Sequence, residues 1–121
     1  MTQARPADVT APQTETRRDD TVRCKACNHE VTRQRHAIQK EGRHEHTFRN
    51  PGGYSFHLLC FAEASGSRDE GCPTLAATWF PGFAWSFAIC DGCQEHLGWW
   101  YSRSEEKFAG LIATRLLRPL E

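Results

Sequence analysis

The sequence carries no net charge, with 15 Lys and Arg against 15 Asp and Glu. No global field therefore draws nucleic acid to it, and no basic stripe runs along its aromatics. It contains no apolar run of membrane-spanning length, and the stretch Met1-Thr-Gln-Ala-Arg-Pro-Ala-Asp8 has no apolar core of the kind a secretion signal needs. No internal repeat is visible, and no Ser-His-Asp or paired-carboxylate constellation suggests catalytic machinery. No cysteine follows Cys93, so the C-terminal part offers no nucleophilic thiolate. These absences lead us to expect a soluble, cytoplasmic, non-enzymatic protein with neither a nucleic-acid nor a membrane partner. At 121 residues it allows one domain with a modest core.

Cysteine is the first thing present in excess. Four of the six cysteines form two Cys-x-x-Cys pairs, Cys24/Cys27 and Cys90/Cys93, with 62 residues between them. In a reducing compartment such pairs are better used for metal than for disulfides. Each pair folds as a tight knuckle that aims both sulfurs at one ion, and four thiolates complete the tetrahedral shell of a structural Zn2+. Such a closed shell leaves no position for a reactive water, and none for His96, which follows Cys93 by three residues. Zinc would also supply folding free energy that a small core lacks. Cys60 closes an apolar segment and is expected to be a buried hydrophobe. Cys72, in Gly-Cys-Pro, is expected to be more exposed.

The second excess is aromatic. All four tryptophans fall between Trp79 and Trp100, a stretch that also holds Phe80, Phe83 and Phe87. Large aromatics usually build cores, but enough other apolar residues exist here to spare some for a surface pocket. Around this stretch the pattern is of short strands. Residues 1–21 are polar and are expected to form a disordered leader, with the domain running from 22 to 121. Beyond the first knuckle we expect strands over Glu30–Ile38 and His44–Phe48, and an Asn50-Pro51-Gly52-Gly53 turn. Tyr54, Phe56, Leu58 and Cys60 alternate with other residues at the period of a half-buried strand. Gly66–Gly71 reads as a polar loop. Trp85, Phe87 and Ile89 alternate as a further strand, and Leu97–Ser102 places Trp99 and Tyr101 on one face and Trp100 on the other. Phe108–Leu117 fits either a helix or a last strand. Periodicity alone gives an all-β domain.

The run Trp79-Phe-Pro-Gly-Phe-Ala-Trp85, then Cys90-x-x-Cys93, then His96-Leu-Gly-Trp99, resembles the thalidomide-binding (CULT) domain of the cereblon family. Cys24-x-x-Cys27 and His44-Glu-His-Thr-Phe-Arg-Asn-Pro51 fit the same pattern, so the resemblance covers roughly residues 22–118. It implies two antiparallel sheets packed at a steep angle and pinned by one structural zinc, a β-tent-like fold. It also implies that Trp79, Trp85 and Trp99 wall a ligand cage with Tyr101 at its base, while Trp100 points away. Main-chain atoms of Thr78 and Trp79 would pair with the C=O, N–H and C=O edge of a cyclic imide. Asn50 and Pro51 would close over the ligand, and Phe56 would line the same wall.

The expected ligands are glutarimide or thalidomide-type rings, uracil-like rings, and cyclised C-terminal Asn or Gln of proteins. The length suggests a free-standing domain of bacterial type, for which no ligase adaptor is expected. Two other functions compete. A methyl-ammonium or methyl-lysine reader would use the same cage through cation–π attraction, with a rim carboxylate drawn from Glu95, Glu105 or Glu106. A methionine sulfoxide reductase shares a similar zinc-pinned architecture, but needs the C-terminal thiolate that this sequence lacks. His44 and His46 alternate on a strand like a metal pair, and we expect them instead to pack in a second layer or at the surface.

Overall fold

The computed structural model describes residues 19–119. Nine strands form two antiparallel sheets, and there is no α-helix among the described residues. A three-stranded sheet contains β1 (Thr21–Cys24), β2 (Glu30–Arg33) and the short β9 (Leu116–Leu117), in the order β9-β1-β2. The six-stranded sheet contains β3 (Glu45–Arg49), β4 (Ser55–Phe61), β5 (Ser67–Thr74), β6 (Ala84–Cys90), β7 (His96–Arg103) and β8 (Glu106–Ile112). Its order is β3-β4-β8-β7-β6-β5. Residues 1–18 of the expected leader lie outside the described residues. Thr21 opens β1, and Asp20 already pairs with Arg33 and Arg35.

The large sheet is covered on both faces, and this decides where its side chains go. On one face, Leu59, Phe61, Ala88, Leu97, Ala109 and Leu111 pack against Val22, Val31 and Leu116 of the small sheet. On the other, Cys60, Phe80, Phe83, Tyr101 and Phe108 form a second core with the half-buried Trp79, Trp85 and Trp99 along its border. Residues Leu58–Phe61 are consequently all buried. The half-buried period expected there breaks down because this strand serves two cores, which favours a continuous apolar run. Trp100 faces the inter-sheet core while its neighbours Trp99 and Tyr101 face the other way. Lys107 Nζ lies 5.0 Å from the Trp100 ring centroid.

Two local expectations are corrected, and a third, left open, is resolved. Gly66–Gly71 is not a loop: from Ser67 onward it belongs to β5, an edge strand paired only with β6. An exposed edge strand needs no apolar alternation, and this one is fixed by polar contacts instead. Asp69 accepts a hydrogen bond from Ser86 and a 2.7 Å ion pair from Lys107, which together hold its carboxyl below the usual range despite the opposing effect of burial. The register shifts between Glu70 and Thr74, where Gly71, Cys72 and Pro73 form a bulge, a device that discourages edge-to-edge pairing. Second, the strand from Glu30 ends at Arg33 in a 3-10 turn over Gln34–His36. Third, the ambiguous C-terminal segment is strand β8, followed by a 3-10 turn at Ala113–Arg115 and then β9. Gly110 explains that choice in part. A Cβ there would meet the Tyr101 ring at 3.1 Å and Leu58 at 3.2 Å, so β8 lies close beneath both side chains.

Candidate functional site: an aromatic pocket beside a four-cysteine cluster

The two Cys-x-x-Cys segments fold into near-copies of each other. In the first, the Cys24 N–H donates to the His29 carbonyl at 2.9 Å and the Asn28 N–H to the Cys24 carbonyl at 2.7 Å. In the second, the Cys90 N–H donates to the Glu95 carbonyl at 2.8 Å and the Gln94 N–H to the Cys90 carbonyl at 2.9 Å. Asn28 and Gln94 both take φ of +68°. That left-handed geometry is easy for asparagine and unfavourable for glutamine. Gly92 is required by space, since a Cβ there would lie 2.8 Å from the His29 Cβ and 3.1 Å from the Cys27 Sγ.

The four sulfurs lie within 4.8 Å of one another, and the Cys24–Cys93 and Cys27–Cys90 separations are both 3.7 Å. A tetrahedron with ligands about 2.3 Å from its centre has an edge of about 3.8 Å, so the cluster is shaped to hold a metal ion such as zinc. Burial pushes the Cys24 thiol up to about 12. Burial acts upward on Cys90 too, but the N–H groups of Cys93 and Gly92 outweigh it and leave that thiol below its ordinary value. His96 is not part of the cluster, and its Nε2–H donates to the Gly98 carbonyl at 2.8 Å.

On the second-core face, Asn50, Pro51, Ala76, Ala77, Trp79, Trp85, Trp99 and Tyr101 line one pocket of about 330 Å³. None of these residues carries a charge. Strands β6 and β7 bring three of the aromatics together: Trp85 opposes Tyr101 and Phe87 opposes Trp99 in the antiparallel register. Trp79 arrives from the β5–β6 connection and meets Trp99 edge to face, at 5.1 Å and 79°. Such edge-to-face pairs are the favoured aromatic geometry. Tyr101 is 2% exposed, stacks on Phe108 at 5.2 Å and has its phenol pushed upward by burial. It is core and pocket floor at once. The Trp85 indole N–H donates to the Ala76 carbonyl at 2.8 Å, which ties the 75–78 loop to the opposite wall.

The remaining expected site residues fall around this frame. The Asn50 Oδ1 accepts the Tyr54 N–H at 2.9 Å, so Asn50 both closes the 50–54 turn and faces the pocket. The Thr78 side chain turns away from the pocket and donates to the Phe83 carbonyl at 2.7 Å. Phe56 stands behind the wall, at 5.4 Å from Trp99 and 6.0 Å from Trp79. Among the described residues, no intramolecular hydrogen bond engages the main-chain N–H or C=O of Trp79. His44 packs on Phe61 and donates from Nδ1 to the Ile38 carbonyl at 3.1 Å, while the buried His46 donates from Nε2 to the Lys40 and Arg43 carbonyls.

Sequence reasoning missed Ala76 and Ala77, whose small side chains carry no chemical signal but keep the mouth open. It also missed the stack behind Trp79, in which Phe48 lies 5.0 Å from Trp79 at 11° and His46 lies 5.5 Å from Phe48 at 4°.

No family model matches the chain. Among known proteins it is similar to protein cereblon of Danio rerio, at 38% identity over 73 residues that cover 56% of this chain and 17% of that protein. Protein cereblon of Gallus gallus is 37% identical over 73 residues, covering 56% and 16%. Protein cereblon of Drosophila persimilis is 29% identical over 97 residues, covering 71% and 14%. The chain thus spans about a sixth of the length of the curated relatives it matches.

Proposed function

We propose, from its similarity to protein cereblon over about 73 residues, that this chain is a non-catalytic binding module of cereblon type whose aromatic pocket takes cyclic imides. The observation that carries this reading is the pocket itself: three tryptophans and a tyrosine around about 330 Å³, without a charged residue in the lining. That volume is at the small end of ligand pockets, suited to a single ring with little attached. Tryptophan faces supply apolar contact to such a ring. The main-chain groups of Trp79, with the Thr78 main chain beside them, complement the alternating C=O, N–H and C=O of an imide edge. Asn50 adds an amide at the mouth and Pro51 covers it. Glutarimides, uracil-like rings and a cyclised C-terminal Asn or Gln of a protein share that edge. Phe56 contributes by bracing Trp79 and Trp99 from behind.

We assign the four-cysteine cluster one structural Zn2+, held by Cys24, Cys27, Cys90 and Cys93. When bound, the ion supplies a cross-link between the two sheets, and four thiolates leave it no open position for catalysis. The methyl-ammonium alternative is disfavoured by the uncharged lining. Of the carboxylates offered for its rim, Glu106 is committed to Lys40 and Arg103, and Glu95 and Glu105 do not line the pocket. The test is a tryptophan-fluorescence titration of the metal-loaded protein with succinimide or glutarimide, and in parallel with tetramethylammonium. Saturable quenching by the imide alone, lost in Trp85→Ala and kept in Trp100→Ala, supports the imide pocket. A response to the cation alone would replace it with the ammonium reader.

A further inference from the structure

Between the four-cysteine cluster and the aromatic pocket lies one side chain that neither site uses directly. His96 is the first residue of β7, immediately after Glu95, whose carbonyl accepts the Cys90 N–H and closes the second knuckle. Its ring meets Trp99 edge to face at 5.0 Å and 87°. The same ring meets Phe87 at 5.3 Å and 81°, and Phe87 meets Trp85 at 5.4 Å and 77°. Two of the three tryptophan walls are thus linked through one imidazole, directly for Trp99 and through one ring for Trp85.

That imidazole is itself held at several points. Its Nε2–H donates to the Gly98 carbonyl at 2.8 Å, which fixes the tautomer and the ring orientation. Its own carbonyl accepts from Arg115 Nη1 at 2.6 Å. Arg115 in turn presents its carbonyl to the Lys25 N–H, inside the first knuckle, at 3.0 Å. Both knuckles therefore converge on His96, one through the chain and one through Arg115.

We infer that His96 is a positioning residue that transmits the geometry of the closed four-cysteine site to Trp99 and, through Phe87, to Trp85. The inference rests on the proposed imide pocket for its functional meaning, but not for its geometry. The physical reason is preorganisation: walls already fixed before the ligand arrives lose less freedom on binding, and a site is only as exact as the shell that supports it. Three successive edge-to-face contacts make a stiff path, because each ring fixes the tilt of the next.

The experiment uses the metal-loaded full chain labelled with 5-fluorotryptophan. Its four fluorine signals, one per tryptophan, are assigned by single Trp→Phe changes. In His96→Ala with the metal still bound, the Trp99 signal should move most and the Trp85 signal less. The Trp100 signal, from the opposite face of β7, should stay in place. Succinimide binding should weaken about three- to tenfold, the effect of losing one or two edge-to-face contacts. His96→Phe keeps the ring and should restore most of both readouts. Arg115→Met, which frees the His96 carbonyl but leaves the ring, should move the Trp99 signal in the same direction by a smaller amount.

Replacing zinc with cadmium, a larger ion of the same charge, should shift the Trp99 signal in the parent and shift it less in His96→Ala. An unchanged Trp99 signal in metal-loaded His96→Ala, or an equal cadmium response in parent and variant, would overturn the inference. If the parent fails to bind succinimide while the Trp99 signal still follows His96 and the metal, the ligand assignment fails and the positioning role stands.

Discussion

Trp85 has two jobs in this structure that mutagenesis can separate. Its ring forms a wall of the pocket, and its indole N–H holds the 75–78 loop through the Ala76 carbonyl at 2.8 Å. Trp85→Ala removes both. Truncating an aromatic that walls a binding site costs roughly 2 kcal/mol or more, so affinity for succinimide should fall about thirtyfold or further. Trp85→Phe keeps an apolar wall and removes the donor. A single neutral hydrogen bond contributes about 1 kcal/mol, so the loss should be about fivefold. Because the Trp85 side chain is only half buried, the Ala variant should lose no more than about 2 kcal/mol of folding stability. Trp100→Ala should give the mirror image. It borders the inter-sheet core, and a half-buried tryptophan should cost about 2–3 kcal/mol of stability, with ligand affinity within about twofold of the parent. Calorimetric titration and urea unfolding on the same preparations read both quantities. If Trp85→Ala binds like the parent, or if Trp100→Ala is the variant that loses affinity, the assignment of faces to functions is wrong.

Removing the metal with a chelator should abolish near-ultraviolet circular dichroism, because structural zinc supplies roughly 10 kcal/mol or more to domains of this size, comparable to their whole stability. Retained tertiary signal in the metal-free protein would contradict a load-carrying site. Gly92→Ala forces a Cβ against His29 and Cys27, and should release metal to a competing chelator dye at least about tenfold more readily, by the scale of disturbances just outside a metal's ligands. Alkylation of the metal-loaded protein should modify Cys72, which is exposed, and spare Cys60, which is buried with its thiol pushed up to about 12; mass spectrometry of the peptides reads this directly. The raised Cys60 thiol favours the folded state fully below pH 9 and loses that contribution as pH rises toward 12. Cys60→Ala should therefore flatten the alkaline limb of the stability profile measured by urea unfolding.

How far the sequence could be read depended on whether a residue's role was local. The Cys-x-x-Cys pairs were legible because two knuckles and four thiolates are a local chemical pattern, and their 3.7 Å sulfur separations now give that pattern a geometry. The alternation of Trp99, Trp100 and Tyr101 was legible for the same reason, since strand period assigns faces without knowing the partners. The start of the polar β5 looks like a loop in sequence because an edge strand is stabilised by one neighbour and by ion pairs such as Lys107–Asp69, neither of which leaves an apolar period. Leu58–Phe61 misled in the opposite sense, since a strand between two cores looks like any short apolar run. Ala76 and Ala77 were invisible because what they contribute to the pocket is room. His46 is legible as a second-layer or surface residue, but its stacking with Phe48 behind Trp79 depends on the β5–β6 connection folding back over β3, which no local pattern encodes.

The wide spacing of the two knuckles also has a consequence in time. Cys27 and Cys90 are separated by 62 residues, and at roughly 5–20 residues per second of synthesis the first pair waits about 3–12 s for the second. For that interval the first pair is the only complete Cys-x-x-Cys in the nascent chain, and Cys60 and Cys72 enter it singly. The second pair, once it emerges, completes the four sulfurs that could hold a metal ion. β6, which carries Trp85, ends at Cys90, and β7 with Trp99 and Tyr101 follows directly after Cys93, so the last residues of the pocket and of the cysteine cluster are made within about ten residues of each other.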